Sequence, residues 1–201
     1  MIPATQALER LKEGNQHFVS DGLSRVVADG SRRSELLNAQ APFAVILSCS
    51  DSRAPTELIF DQGLGELFVI RVAGNVAAKS QIGSVEYAVS ELGTRLVVVL
   101  GHTGCGAVKA TLENITQPQE NPSENLGVIV SRIKPCVETL LKTDLQHDSQ
   151  KLLREAVRAN VRSSVQALRT GSELLESFTP DGLLIVGAEY SLETGVVEFF
   201  T

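Results

Sequence analysis

Three side chains that can bind a transition metal lie in two short segments of the chain. Cys49 lies in Ser-Cys-Ser-Asp-Ser-Arg at residues 48–53, and His102 and Cys105 lie in Gly-His-Thr-Gly-Cys-Gly at residues 101–106. Two cysteines and one histidine are a known ligand set of catalytic zinc, which leaves a fourth position open to water. Thiolate and imidazole groups suit zinc and would not select Mg²⁺ or Ca²⁺. The two segments therefore predict a zinc site.

An acid and a permanent cation accompany the first cysteine. Asp51 and Arg53 follow Cys49 at a spacing of two and four residues. A bidentate pair with Arg53 would keep Asp51 ionised and direct its free oxygen towards a water molecule in the site. Asp51 is also a possible fourth metal ligand. The alternative is a surface ion pair without a chemical role.

The same residues allow other interpretations. The glycines at 101, 104 and 106 could form a phosphate-binding turn, but they lack the Gly-Lys-Ser/Thr ending and the G-x-G-x-x-G spacing. Cys49 and Cys105 could be a redox pair, although they lack C-x-x-C spacing. Buried thiols and a core histidine could also occur here by chance.

Short apolar runs indicate the strands that position these segments. The predicted strands are residues 43–47, 67–72, 96–100 and 183–186, followed by residues 196–200 after a turn at Thr194 and Gly195. Strands that alternate with helices imply an α/β fold with a central, mainly parallel sheet flanked by helices. The last strand is expected at an edge, in antiparallel pairing. Chemistry in such folds is placed at the carboxyl ends of the strands, where both segments lie.

Helical periodicity accounts for much of the remaining chain. Helices are predicted over residues 4–19, 34–39, 107–115, 126–141 and 151–168, with a short one after Pro55 and one from a Ser80 cap to Gly93. Pro135 is expected to kink the long helix. We interpret residues 1–201 as one domain in which residues 1–40 form an N-terminal helical arm. The first helix could dock on its own core or on a neighbouring subunit.

Composition narrows the class of protein. The 201 residues carry a net charge of −6 without a basic tract, which argues against nucleic acid as a partner. No apolar run approaches the roughly 20 residues that span a membrane. The first residues lack the pattern of a signal peptide, so we expect a cytoplasmic protein. Three cysteines in such a chain favour metal binding or catalysis over a disulfide framework.

Four further residues could take part in chemistry. Arg71 interrupts an apolar strand and needs a partner if buried, so we expect a structural ion pair or a place in the site. His17 is interpreted as a surface histidine and a weak candidate for a proton shuttle. His147 is expected in solvent, and Cys136 is expected to act as a small buried hydrophobe.

The two motifs together, Cys-Ser-Asp-Ser-Arg and Gly-His-Thr-Gly-Cys-Gly, resemble those of the β-class carbonic anhydrases over essentially the whole chain. The resemblance implies zinc bound by Cys49, His102 and Cys105. It also implies reversible hydration of carbon dioxide to bicarbonate, with Asp51 and Arg53 as a catalytic dyad that orients the activated water. In some members the aspartate displaces water and becomes the fourth ligand.

The resemblance also implies a substrate pocket of the plant type. Gln40 matches a glutamine that reaches the substrate, often across a dimer interface. Phe68 and Tyr87 match aromatic positions of that pocket, and Gly106 matches a backbone amide donor. Ala73 stands where a larger apolar residue is common.

Other features of the resemblance concern the subtype and the assembly. Ile46 stands where the bicarbonate-gated subgroup carries tryptophan, so we expect an open site at neutral to alkaline pH. Because two thiolates donate charge to the metal, activity should rise with pH. A homodimer or a dimer-based tetramer is implied. The alternatives are a hydrolase of CS₂ or COS from the same family and a zinc-structured binding module.

Overall fold

A five-stranded sheet forms the centre of the computed structural model, which describes residues 2–23, 29–118 and 123–200. The strands are β1 (Ala44–Ser48), β2 (Leu67–Arg71), β3 (Leu96–His102), β4 (Leu184–Tyr190) and β5 (Val197–Phe200). Their order is β2-β1-β3-β4-β5. The first four are parallel, and β5 pairs with β4 in antiparallel direction. The predicted α/β fold with an antiparallel edge strand is confirmed.

Helices cover both faces of the sheet. They are α1 (Ala4–Val19), α2 (Gly30–Glu35), α3 (Thr56–Ile59), α4 (Lys79–Ser90), α5 (Gly106–Thr116), α6 (Glu124–Val137), α7 (Ser149–Thr170) and α8 (Glu173–Ser177). Every residue of β1 and β3 is buried, as expected for central parallel strands covered on both sides. Within the described ranges, no helix is both long enough and apolar enough to cross a membrane.

The first helix packs on the core of its own protomer. Ala4, Ala7 and Leu11 of α1 are buried in one apolar cluster with residues of β1 and α3. Gly14 lies so close to the segment after α3 that an added Cβ would stand 1.8 Å from the carbonyl oxygen of Phe60. This glycine weakens an isolated helix, but here it allows the close contact. Helix α1 therefore docks on the core of its own chain, whereas docking on a neighbouring subunit stays a prediction.

Two predicted helix starts are wrong. The helix expected over residues 34–39 is α2, which begins at Gly30 because the Asp29 side chain accepts a 2.8 Å hydrogen bond from the backbone N–H of Arg32. The expected loop over residues 20–33 therefore ends before Gly30, and its residues 24–28 lie outside the described part. Helix α4 begins at Lys79, and the Ser80 hydroxyl bonds to Gln81 instead of capping the helix.

Two further differences lie in the C-terminal half. Helix α6 contains Pro135 and ends at Val137, and short 3₁₀ turns (Leu140–Lys142 and Asp144–His147) replace the expected continuation to residue 141. Helix α8 was not predicted, because five residues are too few to show a helical period. Its start is fixed by the Ser172 hydroxyl, which accepts a hydrogen bond from the backbone N–H of Leu175 at 3.1 Å.

Candidate metal centre and active site

The sheet topology brings the three predicted metal ligands together. Strands β1 and β3 are parallel neighbours, and Ser48 pairs with Leu100 in their register. Cys49 therefore leaves β1 at the same edge of the sheet as His102, the last residue of β3. Cys105 follows at the N-cap of α5. One ligand atom from each of these three residues lies within 4.8 Å of the others.

The donor atoms fit a tetrahedral zinc ion. The two sulfur atoms of Cys49 and Cys105 are 4.0 Å apart, where two thiolates on one zinc would be about 3.8 Å apart. The Nδ1 atom of His102 lies 3.0 Å from the carbonyl oxygen of Thr103 and donates to it. That bond fixes the tautomer with a free Nε2. The Nε2 atom is buried without a hydrogen-bond partner among the described residues, as expected for an atom that binds a metal.

Two glycines on either side of His102 have different structural roles. Gly104 has a φ of +67°, a left-handed conformation that favours glycine and turns the chain between His102 and Cys105. Gly101 allows α7 to approach β3, because an added Cβ would stand 2.5 Å from a methyl group of Val161.

Arg53 holds the Asp51 carboxylate with three donors. Its Nε and Nη2 atoms lie 2.9 and 2.8 Å from the two carboxylate oxygens, and its backbone N–H donates at 3.0 Å. These bonds hold the pKa of Asp51 well below its usual range. The Oδ2 atom of Asp51 lies 3.8 Å from Nε2 of His102. An ionised acceptor therefore stands beside the ligand cluster.

The two thiols influence each other's ionisation. A hydrogen bond from the Cys105 thiol lowers the pKa of Cys49, which also accepts from the backbone N–H of Gly74 at 3.4 Å. The same bond, together with burial, raises the pKa of Cys105, while N–H groups at the start of α5 oppose that rise. Burial is the largest single influence on His102 and opposes a charge there, but Cys49, the backbone of Thr103 and the carboxylate of Asp51 together raise the pKa of His102. The backbone N–H of Gly74 thus favours a thiolate on Cys49.

Of the two predictions for Arg71, its contacts agree with a place beside the site and not with an ion pair. It is exposed, and it makes no ion pair with any described residue. Its Nε donates to the carbonyl oxygen of Cys49 at 3.1 Å, and its Nη2 donates to that of Asp51 at 2.7 Å. The ion-pair interpretation is therefore wrong. The guanidinium instead bridges the backbone of the loop that carries a predicted ligand and the predicted acid.

Sequence reasoning missed a second support beneath Cys49. Gly74, whose N–H donates to the Cys49 sulfur, has a φ of +69° and lies in a 3₁₀ turn (Ala73–Asn75). Its carbonyl oxygen accepts a 2.7 Å hydrogen bond from the buried side chain of Asn160 on α7. Glycine followed by asparagine after a strand was a usable signal for a special turn, but the distant partner on α7 was not readable.

The predicted aromatic and glutamine positions form a separate surface. Gln40 and Tyr87 both line a cavity of about 600 Å³, and Tyr87 packs against Phe68 with ring centroids 6.2 Å apart. Gln40 is exposed, and Tyr87 is 49% exposed. None of the three metal-ligand candidates lines this cavity. Within one protomer, the structure does not join Gln40 to the ligand cluster.

Gly106 and Ala73 line another cavity. It has a volume of about 860 Å³ and lies between α5 and α6. Gly106 is the first residue of α5, directly after Cys105, and an added Cβ there would meet no atom within 4 Å. The metal-ligand candidates do not line this cavity either, although Gly106 places it next to them.

The remaining candidates lie in supporting positions. His17 is not a free surface histidine, because its Nδ1 lies 2.9 Å from the carboxylate of the buried Asp61. Cys136 is half-buried, and its thiol donates to the carbonyl oxygen of Ile133 at 2.9 Å. Burial raises the pKa of Cys136, which agrees with an inert thiol.

Known proteins with similar sequences share one class of enzyme. A family model described as carbonic anhydrase matches residues 44–197. A carbonic anhydrase of Mycolicibacterium smegmatis is 38% identical over 198 residues, which cover 96% of this chain and 91% of the relative. Carbonic anhydrase 2 of Mycobacterium tuberculosis is 39% identical over 190 residues, which cover 94% of this chain and 89% of the relative.

Solved structures agree with the sequence relatives. The β-carbonic anhydrase CafA of Aspergillus fumigatus superposes with a TM-score of 0.75 at 26% identity, covering 98% of this chain and 89% of that one. A tetrameric β-carbonic anhydrase of Sordaria macrospora has the same fold, with a TM-score of 0.74 at 23% identity over 84% of this chain and 85% of that one.

The chain belongs to the β-class carbonic anhydrase family. It is accordingly an enzyme, and the chemistry of its family is the hydration of carbon dioxide.

Proposed function

We propose that this chain catalyses CO₂ + H₂O ⇌ HCO₃⁻ + H⁺ with one zinc ion held by Cys49, His102 and Cys105. The observation that carries the proposal is the convergence of three donor atoms within 4.8 Å beside an ionised carboxylate. Two thiolates and a neutral imidazole would balance the charge of the metal and leave a position for water. When bound, zinc would supply the Lewis acidity that makes water a nucleophile near neutral pH.

Asp51 and Arg53 would orient the attacking water. A carboxylate whose pKa is held low can accept a hydrogen bond but cannot donate one, so it selects the orientation in which a lone pair of the water faces carbon dioxide. Arg53 occupies both carboxylate oxygens at 2.9 and 2.8 Å and resists movement of Asp51 towards the metal position. This geometry supports an open site in which Asp51 is an acceptor rather than a fourth ligand.

The substrate pocket would be completed by an assembly of subunits. The predicted pocket residues are Gln40, Phe68, Tyr87 and Gly106. Because Gln40 and Tyr87 line a cavity without any metal-ligand candidate of their own protomer, we propose that they act in a homodimer or a tetramer. The tetrameric state of the Sordaria macrospora relative supports this part of the proposal. The cytoplasmic location stays a prediction.

Removal and return of the metal would test the proposal. The protein is stripped with a chelator and reloaded with zinc, and carbon dioxide hydration is followed by stopped flow. We expect activity to disappear and return with one zinc per chain, and Cys105→Ser to prevent the return. A zinc-loaded protein that releases sulfide from COS or CS₂, but does not hydrate carbon dioxide, would overturn the proposal in favour of the hydrolase alternative.

Cobalt in place of zinc would address the binding-module alternative. Cobalt held by three protein ligands changes its visible spectrum when a small anion enters the fourth position. We expect the visible spectrum of the cobalt-loaded protein to change when a small anion is added. A spectrum insensitive to anions would indicate four closed ligands and would contradict the open site.

A further inference from the structure

We propose that Arg71 is a positioning residue that holds the backbone between Cys49 and Asp51 in the geometry that zinc binding and catalysis require. This inference rests on the proposed function, because it assigns Arg71 to the same site. Arg71 is neither a predicted metal ligand nor part of the predicted Asp51–Arg53 dyad, and it lies on an edge strand. Its role follows from two hydrogen bonds to the loop.

The pairing of β1 and β2 places Arg71 beside the loop that begins at Cys49. Strand β2 is an edge strand that pairs in parallel with β1, and Arg71 stands opposite Ser48 at the end of their register. The pairing continues one step further, since the backbone N–H of Val72 donates to the carbonyl oxygen of Ser48 at 3.0 Å. Arg71 therefore starts from a fixed point directly beside the loop that begins at Cys49.

The guanidinium makes two bonds that a single-donor side chain could not make together. Its Nε reaches the carbonyl oxygen of Cys49 at 3.1 Å, and its Nη2 reaches that of Asp51 at 2.7 Å. The donors of a guanidinium are fixed in one plane, so the bonds set the distance between the two carbonyl groups across Ser50. A lysine carries all three of its donors on one nitrogen, so it lacks the rigid pair of separate donors that sets this distance.

Two arginines bind different groups of Asp51. Arg53 binds the carboxylate of Asp51, whereas Arg71 binds its main-chain carbonyl, which also accepts from the backbone N–H of Ala54 at 3.0 Å. The Arg71 bond to Cys49 ties the same bridge to a predicted metal ligand. Loss of Arg71 would therefore loosen the thiolate and the carboxylate together, while leaving their side-chain chemistry unchanged.

The test uses Arg71→Lys and Arg71→Gln in the zinc-loaded protein. Arg169→Gln is the matched control, because Arg169 also donates to a backbone carbonyl, that of Ile185 at 2.6 Å on another strand. Three quantities are measured for each variant: the rate of zinc transfer to a chromophoric chelator, kcat and KM for carbon dioxide hydration per bound zinc, and the melting temperature.

We expect both Arg71 variants to lose zinc about tenfold faster and to show kcat about tenfold lower with KM nearly unchanged, as for other partners that orient metal ligands. The control should keep wild-type zinc transfer and kcat even if its melting temperature falls. Wild-type zinc transfer and kcat in both Arg71 variants would overturn the inference. A raised KM at unchanged kcat and zinc transfer would also overturn it, in favour of substrate binding. If the wild-type protein does not hydrate carbon dioxide, the proposed function fails, and the zinc-transfer rates still decide the role of Arg71.

Discussion

Both oxygens of the Asp51 carboxylate are bound by the side chain of Arg53, two residues further along the same loop. The arginine side chain is 59% exposed, whereas the aspartate side chain is 17% exposed and turns towards His102. The pair therefore has a solvent side and a metal side. An exposed ion pair contributes little to stability in general, so we interpret this one through its effect on the orientation and charge of Asp51.

Asp51→Asn should keep zinc and lose most of the activity. The amide has the shape of the carboxylate, but it is neutral and can donate a hydrogen bond to water in the wrong direction. We expect kcat for carbon dioxide hydration to fall by roughly 100-fold or more, at one zinc per chain. Asp181→Asn, in an exposed turn, is the control and should be fully active. Full activity in the zinc-loaded Asp51 variant would refute the role of the dyad.

Arg53→Lys tests the geometry of the dyad separately from its charge. Lysine keeps the positive charge but cannot bind both carboxylate oxygens through a planar pair of donors. We expect kcat to fall about tenfold, with a melting temperature close to that of the wild type because the side chain is exposed. Equal kcat in the two proteins would mean that charge alone is sufficient.

Gly14→Ala should destabilise the protein although alanine favours helices. The gain in helix propensity is about 1 kcal/mol, but the new Cβ would stand 1.8 Å from the carbonyl oxygen of Phe60. Overpacking usually costs about 1–3 kcal/mol, so after the gain in helix propensity we expect a net loss of up to about 2 kcal/mol in the free energy of unfolding. Gly83→Ala on α4 is the control, because nothing lies within 4 Å of its added Cβ. The free energy of unfolding of both variants is measured by urea denaturation. An equal change at the two sites would contradict the packing of α1.

Glu189 should make stability depend on pH. Its side chain on β4 is buried, and burial raises its pKa more than the facing Arg158 and Arg154 lower it, while Glu198 and Glu155 act with burial. A folded carboxyl with a raised pKa binds a proton that the unfolded chain releases. Its contribution to stability is therefore complete below the ordinary pKa of glutamate and is lost as pH rises through the raised value.

Glu189→Gln should remove that dependence. We expect the urea midpoint of the wild type to fall more steeply than that of the variant between acidic and neutral pH. The exposed Glu193→Gln is the control and should follow the wild type. Parallel profiles of wild type and Glu189→Gln would show that the two arginines keep this carboxylate charged in both states.

The sequence was most informative where a pattern is local. The apolar run before Cys49 was recognisable as a buried strand. The two motifs were predicted to follow the carboxyl ends of two parallel strands, and the register of β1 and β3 confirms that these ends are neighbours. The limits of α1 were also readable, because Ala4, Leu8, Leu11 and Phe18 lie along one side of a helix. The start of α2 was missed, since the capping Asp29 follows a polar segment without a helical period.

Contacts between distant parts of the chain were not readable. The interruption of β2 by Arg71 was visible, but its carbonyl partners depend on where the loop after β1 turns. His17 gave no sign that it would face the buried Asp61, 44 residues away. The close approach of Gly14 to Phe60 was not readable either, because the backbone that approaches this glycine belongs to another element. Such relationships arise from packing and not from spacing.

The central claim is best tested by stopped-flow hydration of carbon dioxide on the zinc-loaded wild-type protein between about pH 6.5 and about pH 9. Because two thiolates leave less charge on the metal than three neutral ligands do, rates should rise smoothly with pH across the whole range. Activity confined to pH values above about 8 would show that Asp51 closes the site and would contradict the open geometry held by Arg53. The absence of hydration at every pH, with zinc bound, would contradict the proposed function itself.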